Sequence, residues 1–147
     1  MKKLIGSLTV ILLVISFGCG NKADSLKWYD NLETAQAVAQ NEGKPILVDF
    51  TGSDWCIWCK RLSNEVFSKD EFIKYAKENL ILVKIDFPEN IPQSAETKFY
   101  NNQLAQRFGI QGYPTIVLLN SSGSVIGVTG YQTGGPEAYI LHIKSYL

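Results

Sequence analysis

Residues 45–59 read "PILVDFTGSDWCIWC", an apolar run that passes through a short polar turn into two cysteines three positions apart. No other stretch constrains the chain as much. An apolar segment of that length, bounded by Pro45 and Gly52, carries the mark of a strand buried on both faces. The spacing then predicts a helix that begins at the cysteines and runs through Leu62 towards Val66. Cys56 and Cys59 thereby fall at the carboxyl end of a strand, the place where open α/β sheets put their sites.

The remaining segments supply the partners such a strand needs. "WYDNLETAQAVAQNEGKP" predicts a helix opened by a capping-box-like pair, Asp30 and Glu33, with Leu32, Ala35, Val38 and Ala39 on one face and a stop at Gly43 and Pro45. Ser68 and Glu71 form a second such pair before a helix whose Phe72, Tyr75 and Ala76 share a face. "LILVKIDF" reads as another buried strand. Pro88 and Pro92 make a loop, and Ser94 with Glu96 starts a helix that continues through "QLAQRFG". "PTIVLLN" and "VIGVTGY" form a hairpin about "SSG". The chain closes on an amphipathic helix with Pro136 near its first turn and Tyr139, Ile140, Ile143 and Leu147 inward. The expected architecture is α/β, a central mixed sheet flanked by helices on both faces.

The 147 residues suit one domain, and 46% apolar with 19% charged residues is enough to build a core without disulfide staples. Fourteen basic side chains balance fourteen acidic ones, which gives no support to a nucleic-acid groove or a polybasic membrane patch. The first residues differ in kind. Lys2 and Lys3 precede an uncharged apolar run from Leu4 to Phe17, of export-signal length and too short to span a bilayer well, so residues 1–18 read as a signal peptide rather than an anchor helix. "SFGC" resembles the bacterial lipobox through Gly18 and Cys19, although Ser16 stands where an aliphatic residue is usual. Cys19 is accordingly the candidate lipidated N-terminus, with cleavage by a general signal peptidase as the alternative. Residues 19–27 would be a tether, residues 28–147 the domain, and a lipid the sole membrane contact.

Processing at Cys19 leaves Cys56 and Cys59 as the thiols of a chain bound for an oxidising compartment. As a staple they would close a ring of four residues, which removes little chain entropy. As a zinc clip they supply half of a tetrahedral site, and the sole histidine, His142, reads as a surface or packing residue of the last helix. A two-thiolate Cu(I) site needs fewer ligands and stays open. A reactive dithiol fits the placement best. The helix start favours a thiolate on Cys56, and Cys59, one turn on, can displace a substrate captured there, so Cys56 is the expected exposed attacker and Cys59 the more buried resolver.

Two further oddities bear on this. Asp49 interrupts the apolar strand, where an ionised carboxylate is costly, so its pKa should rise and it could take the proton leaving Cys59; the alternative is an acid at the sheet edge capping the next turn. In "GIQGYPT", Pro114 opens a strand after an aromatic, a setting in which a cis peptide can be selected. Trp55, Trp58, Tyr113 and Tyr131 are candidates for an aromatic collar that binds protein substrate, with Trp55 expected to pack as core and Trp58 to be exposed. Asp54, Lys60 and Arg61 read as solvated.

"VDF", "WCIWCK" and "LAQRFGIQGYPTIVLLN", in this order with a helix and a strand between, closely resemble the thioredoxin superfamily, and "FTGSDWCIWC" resembles its exported bacterial members. The resemblance covers about residues 28–147. It implies a thioredoxin fold, a redox dithiol at Cys56 and Cys59, a buried acid at Asp49, and a cis-proline at Pro114 lying against the dithiol; Lys84 matches the family's lysine near that acid or, alternatively, is a strand-end lysine that snorkels to solvent. It also implies that the Tyr113 backbone pairs with an extended substrate segment. Thioredoxin has Gly-Pro where this chain has Ile57 and Trp58, a pair of positions that tunes the potential, and the turn after Asp49 is one residue longer here. The expected activity is thiol-disulfide exchange on envelope proteins, as a reductase, by a monomer that needs no metal, nucleotide or flavin. A transmembrane dithiol carrier would supply the electrons. An oxidase or isomerase would use the same residues at another potential.

Overall fold

The structure, a computed structural model, describes residues 25–147. The export segment expected over 1–18, Cys19 and most of the 19–27 tether lie outside them. The order of elements is β1 (Trp28–Tyr29), α1 (Leu32–Glu42), β2 (Ile46–Thr51), α2 (Ile57–Leu62), a π-helical turn (Ser63–Phe67), α3 (Asp70–Asn79), β3 (Ile81–Asp86), α4 (Ala95–Arg107), β4 (Thr115–Leu119), β5 (Val125–Thr129) and α5 (Gly135–Lys144). Among the described residues no helix is long and apolar enough to cross a membrane.

The strands join in the order β1-β3-β2-β4-β5, with β2 parallel to β3 and antiparallel to β4. This is the mixed sheet expected. Successive side chains of a strand point to opposite faces, so β2 divides its apolar residues between two cores. Ile46, Val48 and Phe50 pack with Leu32, Ala35 and Ala39 of α1 and Leu104 of α4. Leu47 faces the other way, into a cluster with Leu62, Phe67, Phe72, Tyr139 and Ile143. All six residues of β2 are buried, as a strand covered on both faces requires.

Several local expectations give way to tertiary contacts. The cap of α1 is Asn31, whose side chain accepts the Thr34 N–H, not Asp30. Glu33 is drawn off by the Tyr100 hydroxyl, which itself accepts the Leu32 N–H from across the fold. Ser68 does not cap α3. Its hydroxyl donates back to Asn64 and its N–H closes the π-helical turn, so α3 starts from Lys69 without a side-chain cap. Leu147 is exposed rather than inward, because α5 ends at Lys144. The two-residue strand β1, paired with Leu82 and Val83 of β3, has no counterpart in the sequence pattern.

Candidate active site

Strand β2 ends at Thr51 and the chain turns through residues 52–55 to reach α2. Cys56 is the N-cap of that helix: its Sγ accepts the Cys59 N–H at 3.2 Å, and the Cys59 Sγ accepts the Gly52 N–H at 3.5 Å. The two sulfurs form a disulfide with the Cα atoms 5.3 Å apart. An exposed Cys56 above a more buried Cys59 was expected; each is instead 5% exposed.

Asp49 sits in the middle of the sheet, opposite Lys84 of β3 and Ile116 of β4. Because β2 is an internal strand, the alternative of a sheet-edge cap does not hold. The carboxyl is 5% exposed, and its Oδ1 has no protein hydrogen-bond partner. Burial pushes its pKa up to about 7; Lys84 opposes this and Asp86 adds to it. Asp49 and Cys59 line the same cavity of about 570 Å³, whose walls also include Lys60, Asn64 and Ser68. Lys84 lines it too, with its exposed ammonium 5.8 Å from the centroid of the Trp28 ring.

Tyr113 and Pro114 are joined by a cis peptide bond. The aromatic residues divide into two groups flanking the dithiol turn. In the first, the Trp55 ring stands edge-on to Tyr113 with centroids 5.9 Å apart, Tyr113 lies 5.1 Å from Phe87, and Trp55 Nε1 donates to the Phe87 carbonyl at 2.8 Å. Trp55 is 41% exposed, against the expectation of a core residue, because this bond holds its ring over the turn at Gly52 rather than beneath α2. In the second group Trp58, 49% exposed, lies 5.3 Å from Tyr131, and the Arg61 guanidinium stacks near both rings. Glu65 closes this group by accepting from the Tyr131 hydroxyl and from Arg61 Nε, which together hold its carboxyl below the usual range. Arg61 is therefore exposed but engaged.

Asp54 is the residue that the sequence pattern missed. Expected to be solvated, its carboxylate accepts the backbone N–H groups of Glu89, Asn90 and Ile91 at 2.9, 2.6 and 3.1 Å. Its pKa is lowered, first by the Glu89 bond. Lys60, also expected to be solvated, donates to the Asp54 carbonyl at 2.7 Å. Ser53 donates to Asp86 through both its N–H and its hydroxyl. The only local hint was an acid placed two residues before Cys56; its partners lie 35 to 37 positions away.

His142 is paired with the Thr129 hydroxyl at 2.8 Å and packs against Tyr146, the packing role expected. Among the described residues no three His, Cys, Asp or Glu side chains gather as a metal-binding group.

Comparison with known proteins follows the same line. The thioredoxin-like domain pattern matches residues 32–142. The disulfide bond reductase DsbH of Chlamydia pneumoniae is 33% identical over 125 residues, covering 85% of this chain and 75% of that protein. A solved structure of a DsbH oxidoreductase superposes with a TM-score of 0.78 at 32% identity, over 84% of this chain and 85% of the other. The thiol:disulfide interchange protein DsbD of Yersinia pestis (strain Pestoides F) is 34% identical over 119 residues, 78% of this chain but only 18% of its own length.

Proposed function

The chain belongs to the thioredoxin-like family, and we propose that it is a protein thiol-disulfide oxidoreductase of the cell envelope that works as a reductase. The observation that carries this is the Cys56–Cys59 disulfide at the β2–α2 junction, sharing a cavity with a buried carboxyl whose pKa lies near neutrality.

In the reduced protein, the Cys59 N–H that now points at the Cys56 Sγ would stabilise a Cys56 thiolate. That thiolate attacks one sulfur of a substrate disulfide; the substrate S–S bond breaks, its second sulfur leaves as a thiolate and takes a proton from solvent, and a mixed disulfide forms. Cys59 gives its proton to the Asp49 carboxylate and attacks the Cys56 sulfur. The bond between Cys56 and the substrate breaks, the substrate's remaining sulfur leaves as a thiolate and takes a proton from solvent, and the two electrons of the dithiol have passed to the substrate, leaving the Cys56–Cys59 disulfide. Asp49 suits the transfer because a carboxyl of pKa about 7 can both accept and return a proton near neutral pH. Trp55, Trp58 and Tyr113 would hold the substrate chain, with the Tyr113 backbone beside Pro114 pairing to it. No metal, nucleotide or flavin enters these steps.

The direction of flow is supported by the name of the DsbH relative, a disulfide bond reductase; after export, a reductase would need a dithiol carrier across the membrane. Lipidation at Cys19 would keep it beside that carrier.

Equilibrating the Cys56/Cys59 couple against glutathione or dithiothreitol buffers tests the reading. Thioredoxin lies near about −270 mV and the strong periplasmic oxidant near about −120 mV. A value at the low end is expected; one near the high end would make the protein an oxidant or isomerase, and failure to titrate would remove the redox role.

A further inference from the structure

The dithiol turn is fastened to the segment that follows β3 by more bonds than a connecting loop requires. The Phe87 N–H donates to the Thr51 carbonyl at 2.8 Å, Ser53 donates twice to Asp86, and Trp55 Nε1 donates to the Phe87 carbonyl. Asp54 adds its three accepted N–H groups, from Glu89, Asn90 and Ile91. These three donors are consecutive and sit between Pro88 and Pro92, in a stretch with no helix or strand to satisfy them. One carboxylate thus does for this turn what a cap does for a helix. Beside it stand Trp55 and Tyr113 with Phe87, and Ile91 at the far end of the turn is 54% exposed.

We propose that Asp54 is a positioning residue for recognition of protein substrates: it holds the 87–91 turn against the dithiol turn, so that Trp55, Phe87, Tyr113 and Ile91 form one fixed apolar wall beside the disulfide. The inference rests on the thiol-disulfide reading above and adds what that site selects. A polypeptide presenting apolar side chains next to its disulfide lies along the wall, whereas a small disulfide reaches the sulfurs without touching it. Ordering the wall before the substrate arrives removes the entropy cost of ordering it at binding. Asp54 does not touch the reacting sulfurs. Its effect therefore belongs in KM for proteins rather than in the exchange chemistry.

The test compares two substrates in the full chain, insulin as the protein disulfide and 5,5′-dithiobis(2-nitrobenzoic acid) as the small one. Asp54→Ala should lower kcat/KM for insulin about tenfold, mainly through KM, as expected for loss of several charge-assisted bonds. Turnover of the small disulfide should change by less than about threefold, so that the ratio of the two activities shifts, and the reduction potential of the couple should stay within experimental error. Amide exchange at Glu89, Asn90 and Ile91 should accelerate. Asp54→Asn, which keeps one acceptor oxygen, should recover part of the insulin activity. Phe87→Ala, with Asp54 intact, should reproduce the same selective loss and so guards against a folding defect at position 54. Equal losses on both substrates, a shifted potential, or unchanged insulin kinetics with accelerated exchange would each overturn the assignment. A wild-type chain inactive on both disulfides would instead overturn the redox reading itself.

Discussion

Asp49 is a carboxyl with one oxygen unbonded, set in the centre of a sheet. Its folded pKa of about 7 lies above the ordinary 3.8, so the native state holds a proton that the unfolded chain has released. Stability from this group is complete below about pH 4 and is lost as pH rises through 7, since ν is then larger in the native state. Asp49→Asn, which cannot ionise, removes that dependence. In the disulfide form, the stability difference between the variant and the wild type should move in the variant's favour by up to roughly 4 kcal/mol between pH 4 and pH 8. Urea midpoints at the two pH values measure it, and parallel pH curves for the two proteins would show that Asp49 titrates normally. That this residue was anomalous is legible in "ILVDF", because an acid inside an apolar run has few stable explanations. The role of Asp54 was not, because its three partners belong to a segment that no local pattern connects to it.

At the level of elements, the turn between β2 and α2 is shaped by one contact in particular. A Cβ added to Gly52 would stand 2.5 Å from Cε2 of Trp55, inside any tolerable approach. Gly52→Ala must therefore push the indole off its seat and weaken its bond to the Phe87 carbonyl. A cost of about 1–3 kcal/mol is expected, the range for overpacking, together with a changed tryptophan emission. Unchanged stability and emission would mean that the ring moves freely. The same contact explains why Trp55 is exposed: a tryptophan beside a cysteine at a helix start reads as core, and the bond that holds it at the surface comes from the residue after β3. The helices and long strands were readable because burial imposes its period directly on 5 to 13 residues. Strand β1 is two residues long and owes its existence to Leu82 and Val83, so no periodicity could announce it. The π-helical turn is similar. It brings the adjacent Val66 and Phe67 inward together, a placement that depends on the Trp28, Phe72 and Tyr139 rings around Phe67.

For the molecule as a whole, stability resides in the two apolar layers on either side of the sheet and not in the disulfide. A ring closed across three sequence positions contributes about 2 kcal/mol by loop entropy. The doubly substituted Cys56→Ser, Cys59→Ser chain should therefore keep its fold, with Tm lowered by less than about 10 °C and an unaltered far-ultraviolet spectrum. Collapse of the fold would assign the pair a structural duty instead. The cavity that joins Asp49 to Cys59 has a consequence of its own. Its lining includes Lys60, Asn64 and Ser68 but none of Trp55, Trp58, Tyr113 or Pro114. The side chains proposed to hold a protein substrate and those around the proton acceptor are thus separate sets. Substitutions at Trp55, Trp58 or Tyr113 would then leave the walls around Asp49 untouched, so the grip on a substrate and the handling of a proton could be tuned independently.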